Sequence, residues 1–220
     1  QIFSTESAFA ALKENGSVIT WGNESVGGDS DDVKELTGVS QIFSTASAFA
    51  ALKDDGSVFS WGSSNSGGDS SDVATDLTSG VSQIFSTRYA FAALKENGSV
   101  ITWGRESYGS DSSDVLSELT DVSQIFSTEY AFAALKENGS VISWGDESYG
   151  GDSSDVDSDL SSGVSQIFST QKAFAALKEN GSVITWGDSN YGGDSSDLAT
   201  ELTDVSQIFS TEYAFAALKD

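Results

Sequence analysis

A period of about 41 residues constrains this chain more than any other feature of its sequence. The segment QIFST begins at Gln1, Gln41, Gln83, Gln124, Gln166 and Gln207, in steps of 40, 42, 41, 42 and 41 residues. Tryptophan keeps the same beat at Trp21, Trp61, Trp103, Trp144 and Trp186, each followed by glycine. Self-similarity at this period marks a repeat architecture, in which each unit buries its apolar faces against its neighbours. No proline linker, low-complexity tail or shift in composition interrupts the array. Residues 1–220 are therefore expected to form a single repeat domain, with units starting at 1, 41, 83, 124 and 166 and a partial unit at 207–220.

Within each unit the strongest local signals lie in a stretch such as Ala8 to Gly22, AFAALKENGSVITWG. Two β-prone runs flank Asn15-Gly16, a dipeptide favoured in type I′ hairpin turns because both central residues there need φ > 0. The sequence thus predicts AFAALK and SVITWG as antiparallel strands joined by a type I′ turn, with VSQIFST as a strand before them. A connector rich in Gly, Ser and Asp completes the unit, with room for one helical turn at DVKEL or DVLSEL beside an Asp N-cap. If strand one runs up, two down and three up, the turn after QIFST and the loop after Trp-Gly share one end. The Asn-Gly turns lie at the other end. The connector then spans the sheet, which roughly 15 residues do easily at about 3.3 Å each.

The segment Gly80 to Gly109, GVSQIFSTRYAFAALKENGSVITWGRESYG, resembles the repeat of the regulator of chromosome condensation superfamily. In length it is most similar to the three-stranded repeats of the propeller-type β-lactamase inhibitor proteins, and the resemblance extends over every unit. It implies an all-β fold of β-propeller blades around a central axis, usually seven in that family, with loops on one face engaging the partner. The chain departs from the family pattern in three places. It has Ser-Thr before strand two, no histidine there, and Gly-Gly-Asp-Ser or Gly-Ser-Asp-Ser after the tryptophan loop. Periodicity alone leaves an open β-solenoid or spiral of the same units as the rival arrangement.

Composition narrows the chemistry. With 34 acidic residues against 10 basic, the formal charge is -24, which argues against nucleic acid or an anionic membrane surface as partner. No run is long enough to span a membrane. The absence of histidine and cysteine removes the usual general base, the thiol nucleophile and the soft ligands of zinc sites. No enzyme activity, catalytic residue or cofactor is expected. A glycosidase working with carboxylates alone is the remaining catalytic alternative, and no acid pair is singled out for it. The connector acids Asp29, Asp69, Asp111, Asp152 and Asp194 superficially resemble calcium ligands. They are read instead as Asx-turn or N-cap residues, with no metal site assigned. The recurring tryptophans, with Phe9, Phe49, Phe91, Phe132, Phe174 and Phe215, are expected to fill the interior between sheets.

The units differ from one another in two windows, the pair of residues after QIFST and the four after Trp-Gly, both placed at one end. All six tyrosines fall there, with both arginines and one lysine. Tyr and Arg are enriched at binding hot spots, so the candidate binding residues are Arg88, Tyr89, Arg105, Tyr108, Tyr130, Tyr149, Lys172, Tyr191 and Tyr213. The leading expectation is a non-enzymatic structural or adhesive segment of a large secreted or cell-surface protein, cut from a longer array. The alternative is a discrete propeller that binds a protein or cell-surface partner through this face. Self-association through the unfinished terminal unit is a further expectation.

Overall fold

The computed structural model describes residues 1–219. They fall into two compact units, one from Gln1 to Asp111 and the other from Ser112 onward. The first unit holds three antiparallel sheets of three strands each: β1 (Ile2–Ser4), β2 (Ala8–Leu12) and β3 (Val18–Gly22); β4 (Val39–Ser44), β5 (Ala48–Lys53) and β6 (Val58–Gly62); β7 (Val81–Ser86), β8 (Ala90–Lys95) and β9 (Val100–Gly104). The second repeats the pattern with β10 (Val122–Ser127), β11 (Ala131–Lys136) and β12 (Val141–Gly145), then β13 (Val164–Ser169), β14 (Ala173–Lys178) and β15 (Val183–Gly187). It ends in a two-stranded sheet of β16 (Val205–Ser210) and β17 (Phe215–Lys219). The three-strand reading of each repeat therefore stands.

The hairpin turn lies where Asn-Gly predicts it but is of a different class. Gly16 has φ +76°, whereas Asn15 is not among the residues of positive φ. The Gly16 amide donates to Lys13 O at 3.0 Å, and Lys13 N donates to Ser17 O at 3.0 Å. This is a β-turn closed by a left-handed glycine, the type I turn with a G1 bulge rather than type I′. Asn15 acts through its side chain, Oδ1 accepting from Ser17 N at 3.1 Å and from Ser17 Oγ at 2.8 Å. Asp55 replaces it in the second repeat with the same two bonds, at 3.0 and 2.6 Å.

The alternation of strand two divides its side chains between two interfaces. In β5, Phe49 and Ala51 pack with Ala8, Ala10, Ile42 and Trp61. Ala48, Ala50 and Leu52 pack with Ile84, Phe91, Ala93 and Trp103. In the second unit Phe174 and Ala176 face Ala131, Ala133 and Leu135, while Ala175 and Leu177 face Ile208. A strand buried on both faces needs no polar side, and its alanines let neighbouring sheets approach closely. Phe49, Phe91, Phe132 and Phe174 are wholly buried, and Trp61, Trp103, Trp144 and Trp186 nearly so. Each phenylalanine stacks on the tryptophan of its own sheet, with centroids 5.1–5.3 Å apart. In the first repeat the interior expectation fails: Phe9 and Trp21 stack on each other but are 45% and 43% exposed. A glycine of the preceding repeat's loop lies against Phe49, Phe91, Phe174 and Phe215.

The second glycine of the Gly-Gly pair sits close to the backbone in four of these loops, and Ser110 takes its place in the third repeat. A Cβ at Gly28, Gly68, Gly151 or Gly193 would come within 2.3–2.6 Å of the backbone of the preceding Trp-Gly glycine. The connectors carry short 3-10 turns at Ser71–Val73, Ser154–Val156 and Ser196–Leu198, and one α turn, α1 (Asp157–Leu160). The strand-two lysines secure the connectors, Lys95 Nζ donating to Asp76 O and Lys136 Nζ to Glu118 O, both at 2.7 Å. Lys178 and Lys219 make the same bond to Asp159 O and Glu201 O.

Candidate binding face

The two variable windows meet because the threonine of QIFST pins them together. Thr87 Oγ1 donates to Tyr108 O at 2.9 Å and accepts from Ala90 N at 3.0 Å. Thr128 makes the same bonds with Tyr149 O and Ala131 N, and Thr170 with Tyr191 O and Ala173 N. These hydroxyls are buried and fully used, so each is costly to remove. A second link is made by the backbone, as Arg105 N donates to Tyr89 O, Asp146 N to Tyr130 O and Asp188 N to Lys172 O at 3.0–3.1 Å. Neighbouring repeats are tied along the same edge. Glu6 N donates to Ala46 O and Ala46 N to Arg88 O in the first unit; Glu129 N donates to Gln171 O and Gln171 N to Glu212 O in the second. Both windows therefore share one end, as strand direction predicts.

In the first unit four of the candidate residues cluster. Tyr89 and Tyr108 meet edge to face at 5.3 Å. Arg105 Cζ lies 4.7 Å from the Tyr108 centroid and 5.8 Å from that of Tyr89, and Arg88 Cζ 5.5 Å from the Tyr89 ring. Arg88 also pairs with Glu6 at 2.8 Å, two repeats away. At these distances guanidinium groups are held by the ring quadrupoles, worth about 0.5–1 kcal/mol each at exposed sites.

In the second unit the other five form a row. Tyr130 and Tyr149 lie 4.4 Å apart, Lys172 Nζ sits 4.7 Å from the Tyr149 centroid and 4.8 Å from that of Tyr191, and Tyr191 is 5.3 Å from Tyr213. The Tyr149 hydroxyl beside it, and then Tyr191 and Asp188, hold the Lys172 ammonium above the ordinary lysine range. The neighbouring Glu212 carboxylate raises the Tyr213 phenol. Glu6, Asp188 and Glu212 were not among the candidates. Asp188 and Glu212 share a window with Tyr191 and Tyr213, a signal the sequence holds, whereas Glu6 lies in a window without Tyr or Arg and meets Arg88 only through the fold.

The connector acids do other work. Asp29, Asp69, Asp152 and Asp194 each accept at Oδ1 from the amide two residues on, at 2.9 Å, the Asx turn expected of them. The backbone bonds to Ser71, Ser154 and Ser196 hold Asp69, Asp152 and Asp194 below the ordinary carboxylate range.

No protein-family model and no curated protein sequence matches the chain. Solved structures do. Prp20p from Saccharomyces cerevisiae aligns with a TM-score of 0.54 at 16% identity, covering 99% of this chain and 64% of its own. The yeast RCC1 (Prp20) structure with Kap60 aligns at 0.54 and 17%, covering 100% and 61%, and human WBSCR16 at 0.51 and 17%, covering 100% and 67%. The chain thus spans about two thirds of the length of these proteins or less. This likeness, added to the repeat motif and the sheet packing, shows that the chain has the all-β fold of tandem β-propeller blades of the regulator of chromosome condensation type.

Proposed function

We propose that the chain is a non-enzymatic repeat scaffold that binds a protein partner through the loop end of its sheets. One observation carries this reading. The positions that vary between repeats are gathered by the threonine pins into contiguous arrays of Tyr, Arg and Lys, the side chains that offer large contact area with a polar tip. The fold offers precedent, since Prp20p was solved together with a study of its binding to Gsp1p and histones, and yeast RCC1 with Kap60 bound. Against a carboxylate glycosidase, Asp69, Asp152 and Asp194 are shifted downward, whereas a general acid needs a raised pKa. A secreted or cell-surface setting fits a strongly acidic array and belongs to the proposal.

Selection of random displayed peptides on the immobilised chain tests the reading. The selected peptides should lose binding to a variant carrying Tyr149→Ser, Tyr191→Ser and Tyr213→Ser. They should keep it for Glu137→Ser with Glu179→Ser, which lie exposed in the hairpin turns at the opposite end. Peptides that bind the tyrosine variant unchanged would contradict it.

A further inference from the structure

The identity of the partner's contacting groups follows from the second unit, given that the loop end is the binding face. That face carries four tyrosines and one cation, Lys172, set between the rings of Tyr149 and Tyr191. The other lysines of the unit, Lys136, Lys178 and Lys219, are on strand two and donate to connector carbonyls. Beyond Lys172 the row continues to Tyr213, which is 54% exposed and lies 5.3 Å from Tyr191. Carboxylates border it, Asp188 beside Lys172 and Glu212 beside Tyr213. The first unit differs in supplying its own cations, two arginines over two tyrosines.

Lys172 thus shows how this surface holds a positive group: rings on two sides and a carboxylate nearby. We propose that the second unit docks a basic protein segment, whose arginine or lysine side chains take up at Tyr191, Tyr213 and Glu212 the arrangement that Lys172 makes within the chain. A net charge of -24 steers such a segment toward the protein, and the rings then fix where it settles.

The test must separate this site from general attraction between opposite charges. Fluorescence anisotropy of a labelled peptide of alternating arginine and serine, titrated with the full chain at about 0.15 M salt, supplies the readout. Tyr191→Ser with Tyr213→Ser should weaken binding by about tenfold with the melting temperature preserved. Lys172→Gln vacates a place between two rings and should tighten binding by about threefold. Lys13→Gln, at an exposed position in the first hairpin turn, changes the net charge equally and should leave affinity within about twofold. Equal effects of the two lysine substitutions, or indifference to the tyrosine pair, would overturn the proposal. So would display-selected peptides that bind this face yet carry no basic residues, an outcome that leaves the binding face itself intact.

Discussion

Gly27 of the first repeat lies against the ring of Phe49 in the second so closely that a Cβ on the glycine would stand 2.7 Å from Phe49 Cδ2. Gly67 and Phe91, Gly150 and Phe174, and Gly192 and Phe215 repeat the relationship. Beside it the Trp61 indole donates to Gly27 O at 3.1 Å, as Trp103 does to Gly67 O and Trp186 to Gly150 O. At Gly27, Gly67 and Gly150 a left-handed glycine thus closes over an aromatic pair, with one buried hydrogen bond fixing the register.

Gly27→Ala should therefore cost about 2–4 kcal/mol, combining backbone strain with overpacking of a filled core. Gly38 also has positive φ, +70°, but its added Cβ would meet only Lys53 Cε at 3.9 Å. Gly38→Ala should cost about 1 kcal/mol, from φ alone. Urea unfolding of the two variants measures the difference, and equal losses would mean that the ring contact is slack.

The first residue before strand one offers the converse test. Gly38, Gly80 and Gly163 occupy it in three repeats, whereas Asp121 and Asp204 adopt φ of 56° in the other two. Asp121→Gly should stabilise the chain by about 0.5–1 kcal/mol, relief of the left-handed strain exceeding the entropy that glycine loses on folding. Thermal unfolding at neutral pH reads this as a higher midpoint.

The sequence carried the repeat, its three strands and the shared end of the variable windows, because each follows from local periodicity and strand direction. The turn class was less legible. Asn15-Gly16 supplies φ > 0 at only one of its two residues, and nothing local distinguishes an asparagine in the left-handed region from one whose side chain binds Ser17. The Gly27–Phe49 lock was hidden for another reason: its partners lie in different repeats, and only the packing of one sheet on the next brings them together. The candidate tyrosines could be named from variation between copies, but their grouping within each unit depends on the Thr87 pin in the first and the Thr128 and Thr170 pins in the second. Those threonines are invariant and so looked like ordinary scaffold.

Thr170→Val removes the hydroxyl that bridges Tyr191 O and Ala173 N while keeping the volume. A loss of about 1–3 kcal/mol is expected from stranding buried backbone groups. Binding through Tyr191 should weaken with it, whereas Ser165→Ala, which removes a part-buried bond to Leu177 O, should leave binding unchanged. Equilibrium unfolding and a peptide titration on the same samples check both halves.

Asp55 gives a pH signature. Its bonds from Ser57, the side-chain one foremost, lower its pKa in the folded chain. Its contribution to stability is therefore complete above the unfolded aspartate value of about 4 and is lost as pH falls through the lower folded value. Asp55→Asn, the residue found in the other hairpin turns, should change little at pH 7 and melt higher than the parent below about pH 4. Melting curves that shift in parallel across this range would show that the Ser57 bonds do not act on Asp55.

Hydrogen–deuterium exchange of the chain with and without a saturating display-selected peptide tests most directly whether function lies at the loop end of the sheets. Added protection is predicted at residues 129–130, 146–149, 171–172 and 188–191. Protection confined to the hairpin turns at residues 137–139 and 179–181 would contradict the account.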